Sequence, residues 1–150
     1  MIFIPTNNGR LYNLSHCTYN CQYHMVWVVK YRDKVLADTY IKQEMKRIIK
    51  SVARWKGFVL LQWYVGDEHV HLYLIIPPKY SISYVACVLK SKTSGWIKKK
   101  TKKFPMGSLW CRGYFISTVG INEQQIRNYI KNQDCHRVDS SQLSLWKQRA

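Results

Sequence analysis

The chain has 150 residues, with 24 lysines and arginines against 8 aspartates and glutamates, and a formal net charge of +16. This length suits one domain over residues 1–150, and a hydrophobic fraction of 47% excludes disorder for most of it. No apolar run approaches the ~18 residues that a membrane-spanning helix needs, and the first residues do not resemble a signal peptide. We therefore expect a cytoplasmic protein with no membrane partner.

The positive charge is clustered in one part of the chain. Residues 90–103 include seven lysines and no acidic residue. Because each lysine that pairs with a phosphate releases a counterion, this cluster predicts nucleic-acid binding that weakens steeply with salt. A solvated loop that serves solubility is the alternative, and an acidic membrane surface is a lesser rival. The candidate DNA-binding residues are Lys90, Lys92, Lys98, Lys99, Lys100, Lys102, Lys103 and Arg112.

The first third of the chain predicts an irregular lead-in, a strand and a helix. Residues 1–17 show no pattern, whereas residues 19–30 alternate with apolar side chains on much of both faces, which is typical of a central strand. Apolar residues at helical spacing over 41–52 then predict an amphipathic helix. Asp38 is placed to cap this helix, and Gly57 is placed to stop it.

The rest of the chain predicts three more strands and two more helices. Prolines, glycines and polar residues separate these elements, and residues 134–150 have little pattern, so we expect a tail there. The predicted strands are 58–65, 69–76 and 112–119, and the predicted helices are 82–96 and 123–133.

The predicted order is β-α-β-β-α-β followed by a helix. This order is typical of the ferredoxin-like (RRM-like) α+β fold, in which four antiparallel strands carry two helices on one face. The other face is then left for a ligand or for the additional C-terminal helix. Many nucleic-acid-binding proteins use this sheet, so the fold alone does not identify a chemistry.

A pair of histidines lies in the third predicted strand. His69 and His71 alternate with Val70, so both imidazoles point to the same sheet face, with Cα atoms roughly 6.5 Å apart. Two imidazoles on one face can share a metal ion. Such a pair on a strand is nevertheless more often a pair of surface or core histidines than a metal site.

A second pair lies on the last predicted helix. Tyr129 and Gln133 are separated by four residues, so they share a helix face and can reach the same point. A tyrosine at helical spacing more often belongs to a core, and the apolar Ile126 and Ile130 beside it are consistent with a core position here.

Seven motifs occur in one order along residues 19–133: YHMVW at 23–27, KYR at 30–32, DEHVHL at 67–72, IIPPK at 75–79, WCRGYF at 110–115, STVG at 117–120 and IRNYIKNQ at 126–133. Together they resemble the TnpA family, the single-tyrosine HUH transposases of insertion-sequence 200/605 elements. The tail at 134–150 lies outside the resemblance.

The resemblance implies a role for each matching residue. His69 and His71 would hold a divalent metal ion, Mg²⁺ or Mn²⁺, with Gln133 as a third ligand, and Tyr129 would be the nucleophile. It further implies that the protein cleaves and rejoins single-stranded DNA at element ends marked by imperfect hairpins, through a 5′-phosphotyrosine intermediate. Finally, it implies a homodimer in which the tyrosine helix of one subunit completes the histidine site of the other.

The chemistry of the residues agrees with these roles, although two alternatives stay open. Two imidazoles favour Mn²⁺ at least as much as Mg²⁺, and a divalent ion would neutralise charge on a phosphodiester. One alternative is a non-catalytic single-stranded DNA or RNA binder in which both histidines and Tyr129 are structural. The other is a different HUH nuclease, such as a replication initiator, a relaxase or a domesticated repeat-associated transposase.

Overall fold

The computed structural model describes residues 11–101 and 108–118. This part of the chain forms a short hairpin, a four-stranded sheet and two long helices, with short 3₁₀ turns at Lys30–Arg32 and Val35–Ala37. In chain order the elements are β1 (Tyr12–Leu14), β2 (Cys17–Tyr19), β3 (Gln22–Val28), α1 (Thr39–Lys56), β4 (Val59–Val65), β5 (His69–Ile75), α2 (Ile82–Thr101) and β6 (Phe115–Ser117).

The main sheet has the strand order β4-β5-β3-β6, and all its neighbouring strands are antiparallel. This is the ferredoxin-like arrangement, so the predicted fold class is confirmed. Strands β5 and β3 are central, and in their register Val26 lies opposite His71 while His24 lies opposite Tyr73. The register therefore brings two distant segments of the chain side by side.

Helix α1 begins and ends where the sequence predicts. The Asp38 carboxylate accepts hydrogen bonds from the backbone N–H groups of Tyr40 (2.8 Å) and Ile41 (3.2 Å), which are otherwise unpaired at a helix start. Gly57 ends the helix in the left-handed conformation (φ 76°), which favours glycine.

The core lies between the two helices and one face of the sheet. On β3 the side chains that alternate into it are Met25 and Trp27, and on β5 they are Val70, Leu72 and Leu74, all of them fully buried. Each such side chain stabilises the fold by about 1.5–3 kcal/mol through the area it removes from water. The residues between them, including His24 and both histidines of β5, consequently point to the opposite sheet face, which we call the histidine face.

The N-terminal lead-in was predicted to be irregular, and this prediction was wrong for part of it. Strands β1 and β2 pair in an antiparallel hairpin, with Tyr12 opposite Tyr19 and their ring centroids 5.9 Å apart. The strands have only three residues each, which is too short for alternation to identify a strand from the sequence.

The second helix was predicted over 82–96, which would leave the lysines at 98–103 in a loop, and this too was wrong for the described part of the lysine run. Helix α2 continues to Thr101, so Lys98, Lys99 and Lys100 form its last turn. Lysine has a good helix propensity, and cations are favourable at a helix C-terminus because of the helix dipole.

The remaining predictions concern the C-terminal part of the chain. Strand β6 is shorter than the predicted 112–119 and covers Phe115–Ser117 within the described residues. The predicted helix at 123–133 and the tail at 134–150 lie outside the described residues. Across 11–101 and 108–118, neither helix has the length and apolar character that crossing a membrane requires.

Candidate active site

The structure brings the two histidines of β5 together on the histidine face. The ring centroids of His69 and His71 are 4.9 Å apart, with the ring planes at 69°. Val70, between them, is fully buried on the helix side. Because both histidines lie on a central strand with neighbours on each side, the backbone fixes the positions from which the two rings extend.

Burial keeps these imidazoles neutral at pH 7. Burial, with smaller contributions from the nearby His69 and His24 rings, lowers the pKa of His71 to about 3. Burial also lowers the pKa of His69 below its ordinary value. A neutral imidazole retains a nitrogen lone pair, so both side chains are in the protonation state that binds a metal ion.

A third histidine, His24 on β3, belongs to the same cluster. Its Nε2 lies 3.2 Å from Nδ1 of His71, within hydrogen-bonding distance, and only 2% of the residue is exposed. Burial lowers the pKa of His24 to about 4, so it too is neutral. His24 had no predicted role, because the pairing of β3 with β5 is not visible in the sequence.

Gly66 leaves the space in which the His69 ring lies. Its N–H donates to the carbonyl oxygen of His69 (2.9 Å). A Cβ atom at this position would lie 2.7 Å from Cε1 of the His69 ring and 2.9 Å from Nε2. A larger residue would therefore displace the imidazole.

The turn that precedes His69 is held by hydrogen bonds from residues that follow β3 and from a lysine of α1. The carbonyl oxygens of Glu68 and Asp67 accept from the N–H groups of Val29 (2.7 Å) and Leu36 (3.0 Å). The Asp67 carboxylate also accepts from Lys42 at 2.9 Å, an ion pair that lowers the pKa of this carboxyl. These contacts fix the start of β5 and hence the position of His69.

An exposed tyrosine stands beside the two histidines. Tyr64 lies opposite His71 in the pairing of β4 with β5, and its ring centroid is 5.9 Å from that of His69 and 5.8 Å from that of His71. The residue is 45% exposed. Tyr64 was not predicted as a site residue, because nothing in the local sequence pattern indicates that it lies next to β5.

The donor set fits a metal ion that accepts nitrogen ligands. Among the described residues, no three histidine, cysteine or carboxylate side chains are grouped so that they could hold one ion. The site therefore offers the two imidazoles of β5, and any further ligand must be of another type or lie elsewhere. Nδ1 of His69 is buried and has no hydrogen-bond partner within the described chain, a cost that an ion coordinated by this nitrogen would relieve.

Apart from Lys90, the candidate DNA-binding residues that the structure describes fall into two groups. Lys99 and Lys100 are exposed at the end of α2, and Lys92 is exposed on the same helix. Lys98 and Arg112 line a groove of about 720 Å³ between α2 and residues 108–114. Lys102 and Lys103 lie outside the described residues.

Lys90 differs from the other lysines. Its ammonium group donates to three backbone carbonyl oxygens, those of Cys111 (2.6 Å), Arg112 (3.0 Å) and Gly113 (3.1 Å), and burial lowers its pKa. An ammonium group has three N–H donors, so these bonds use all of them. The structure thus gives Lys90 the role of anchoring residues 111–113 to α2 rather than that of contacting phosphate.

Two of the predicted site residues cannot be placed against this cluster. Tyr129 and Gln133 lie outside the described residues. Their assignment as nucleophile and third metal ligand stays a prediction.

Comparisons with known proteins point to one family. The family model described as "Transposase IS200 like" matches residues 17–133. The transposase for insertion sequence element IS200 of Salmonella typhimurium is 34% identical over 137 residues, which cover 89% of this chain and 90% of that protein. The ISDra2 transposase TnpA of Deinococcus radiodurans is 32% identical over 120 residues, which cover 77% and 85% of the two chains.

Solved structures agree with this relationship. A crystal structure of a Deinococcus radiodurans R1 protein assigned as a transposase superposes with a TM-score of 0.74 at 30% identity, covering 81% of this chain and 97% of that one. A REP-associated tyrosine transposase bound to a REP hairpin superposes with a TM-score of 0.51 at 18% identity, covering 79% and 67%, and shows the shared fold alone. The chain has a ferredoxin-like sheet with paired histidines on a central strand, and it matches one family over most of its length. It therefore belongs to the IS200-like transposases.

Proposed function

We propose that this transposase cleaves and rejoins single-stranded DNA at insertion-sequence ends through a 5′-phosphotyrosine intermediate, with a divalent metal ion, Mg²⁺ or Mn²⁺. The observation that carries the proposal is the pair of neutral imidazoles on β5, with ring centroids 4.9 Å apart and a buried Nδ1 of His69 that lacks a partner in the described chain. His69 and His71 would hold the ion, and Gln133 would add a third ligand.

The reaction is a pair of transesterifications. When bound, the cation would neutralise the charged oxygens of the scissile phosphate and orient it for in-line attack. The Tyr129 hydroxyl loses its proton and forms a bond to phosphorus, while the bond to the 3′ oxygen breaks and that oxygen becomes a free 3′-OH. In the second step a 3′-OH attacks the phosphotyrosine, and the tyrosine leaves. Since one phosphoester bond replaces another, joining needs no nucleotide hydrolysis.

The substrate and the assembly are part of the same proposal. A net charge of +16, together with Lys92, Lys98, Lys99, Lys100 and Arg112 at or near the surface of α2 and its groove, favours a polyanion as partner. A transposase with the same fold is bound to a REP hairpin, which supports hairpin-forming DNA as the substrate here. We further propose a homodimer in which the helix that carries Tyr129 reaches the histidines of the other subunit.

Covalent capture tests the proposal. The full-length protein is incubated with Mn²⁺ and single-stranded oligonucleotides from the ends of its own element, and the products are separated on a denaturing gel. We expect a shifted protein–DNA band that disappears in Tyr129→Phe. Tight binding without any covalent product would instead support the non-catalytic binder.

The structure supplies a matched control for the nucleophile. Tyr64 is exposed and lies within 6 Å, between ring centroids, of both histidines. Tyr64→Phe removes a hydroxyl at that position and keeps the ring, so we expect it to retain the covalent band. If the band is lost in Tyr64→Phe and kept in Tyr129→Phe, the nucleophile has been assigned to the wrong tyrosine.

A further inference from the structure

The contact between His24 and His71 determines which nitrogen of His71 can hold a metal ion. Nδ1 of His71 lies 3.2 Å from Nε2 of His24, and both residues are buried, with 2% and 8% of their surfaces exposed. A cation bound by His71 must therefore be held through Nε2, on the other side of the ring.

The hydrogen bond between the two rings needs one of them to be the donor, and this choice decides which nitrogen of His71 carries a proton. If His24 were the donor, Nδ1 of His71 would be the acceptor, and a neutral His71 would then carry its proton on Nε2, where no lone pair is left for a metal. If His71 is the donor, its Nε2 is unprotonated and can bind. Metal-binding histidines in general donate their other ring N–H to an acceptor that fixes the tautomer and the ring orientation.

The surrounding sheet holds His24 in place for this contact. Strand β3 is paired on both sides, so His24 lies opposite Tyr73 of β5 and opposite Ser117 of β6. The Tyr73 ring packs against His24 with centroids 6.3 Å apart, and its hydroxyl donates to the side chain of Gln22 (2.7 Å). The His24 ring is therefore held by packing as well as by its hydrogen bond.

We propose that His24 is a positioning residue whose Nε2 accepts the Nδ1–H of His71, so that His71 presents an unprotonated Nε2 to the divalent cation. The inference deepens the proposed function and rests on it. His24 does not itself bind the ion, because its Nε2 is engaged by His71 and its neutral ring then carries its proton on Nδ1.

The tautomers of the wild-type protein give the most direct test. Long-range ¹H–¹⁵N NMR of the metal-free, full-length protein labelled at histidine distinguishes protonated from unprotonated ring nitrogens near pH 7. We expect His71 to be protonated on Nδ1 and unprotonated on Nε2, and His24 to be unprotonated on Nε2. The opposite pattern, with the proton on Nε2 of His24, would overturn the proposal.

Two substitutions test the consequence for metal binding. His24→Gln keeps an acceptor oxygen at a similar distance along the side chain, whereas His24→Phe keeps a ring and removes the acceptor. Measured by Mn²⁺ titration with electron paramagnetic resonance, we expect His24→Phe to bind roughly 10- to 100-fold more weakly than wild type, and His24→Gln to recover most of this loss. Equal affinity of His24→Phe and wild type contradicts the proposal.

The outcomes separate this inference from the function on which it rests. Wild-type protein that binds no Mn²⁺ overturns the metal site of the proposed function, whereas the tautomers still decide the direction of the His24–His71 hydrogen bond. If His24→Phe does not fold, the wild-type spectrum and the His24→Gln titration still decide the question.

Discussion

The two groups of side chains proposed for function are built in opposite ways. On the histidine face, His24 and His71 are buried and joined by a hydrogen bond, and His69 is partly buried. All three are neutral and lie on strands paired on both sides. The lysines in the last turn of α2 lie at the surface, with Lys99 and Lys100 exposed and Lys98 partly exposed. Side chains held in position suit chemistry on one phosphate, whereas charges at the surface suit attraction of a whole nucleic-acid backbone.

The comparison predicts that chemistry and binding can be separated by mutation. His69→Ala and His71→Ala each remove a proposed metal ligand, so we expect the cleavage rate to fall by more than about 100-fold. Hairpin binding, measured by gel shift without cleavage, should stay close to wild type because the surface charge is unchanged. Equal loss of both activities would mean that the histidines serve docking as much as catalysis.

The buried, neutral state of the histidines also predicts acid sensitivity. The folded-state pKa values of about 4 for His24 and about 3 for His71 lie below the ordinary value of 6.5 in the unfolded chain, so the unfolded state binds more protons. Their contribution to stability is complete above about pH 6.5. It is lost as the pH falls from this value toward the folded-state pKa of each residue, at up to about 1.4 kcal/mol per pH unit for each histidine.

Urea unfolding of the metal-free protein from about pH 7 down to about pH 5 measures this slope. His24→Gln has one titrating imidazole fewer and should show a shallower decline by up to about 1.4 kcal/mol per pH unit. A free energy of unfolding that stays constant over this range would show that the imidazoles are not buried in their neutral form.

The sequence predicted well those features that depend on local interactions. The start of α1 needs the side chain of Asp38, its end needs the left-handed Gly57, and its buried stripe of Ile41, Met45, Ile48, Ile49 and Val52 follows from a single period. The shared face of His69 and His71 likewise follows from alternation within one strand. None of these inferences requires knowledge of a distant segment.

The features that were missed depend on distant pairing or on competing effects. His24 lies 47 residues from His71, and only the register between β3 and β5 brings their nitrogens together. Tyr64 belongs to the site through the register of β4 with β5. At the end of α2, the charge run suggested a loop, although lysine propensity and the helix dipole favour a continued helix.

Gly66 allows a finer test of the rigid site. In Gly66→Ala the new Cβ would lie 2.7 Å from the His69 ring, so the imidazole must turn away from its position. We expect Mn²⁺ affinity to fall by about tenfold, as for other changes that misplace a ligand. Gly95→Ala on α2 is the matched control, because its Cβ would meet no atom within 4 Å and alanine stabilises a helix by roughly 0.5–1 kcal/mol. Equal metal affinities of the two variants would show that His69 tolerates the displacement.

The smallest predicted effect concerns the exposed charges, and it also separates Lys90 from the other lysines. Replacing Lys98, Lys99 and Lys100 together by glutamine should lower DNA affinity several-fold at physiological salt and flatten the dependence of log K on log salt by up to about 2 for a single strand, with stability nearly unchanged. Lys90→Met should instead change stability and not DNA binding. It leaves three carbonyl groups without their donor, so we expect the free energy of unfolding to fall by about 1–3 kcal/mol and the salt slope to stay unchanged. Salt titrations and urea unfolding of both variants decide this. An unchanged slope in the triple variant would mean that the end of α2 does not contact DNA, and a flattened slope in Lys90→Met would return Lys90 to the binding surface.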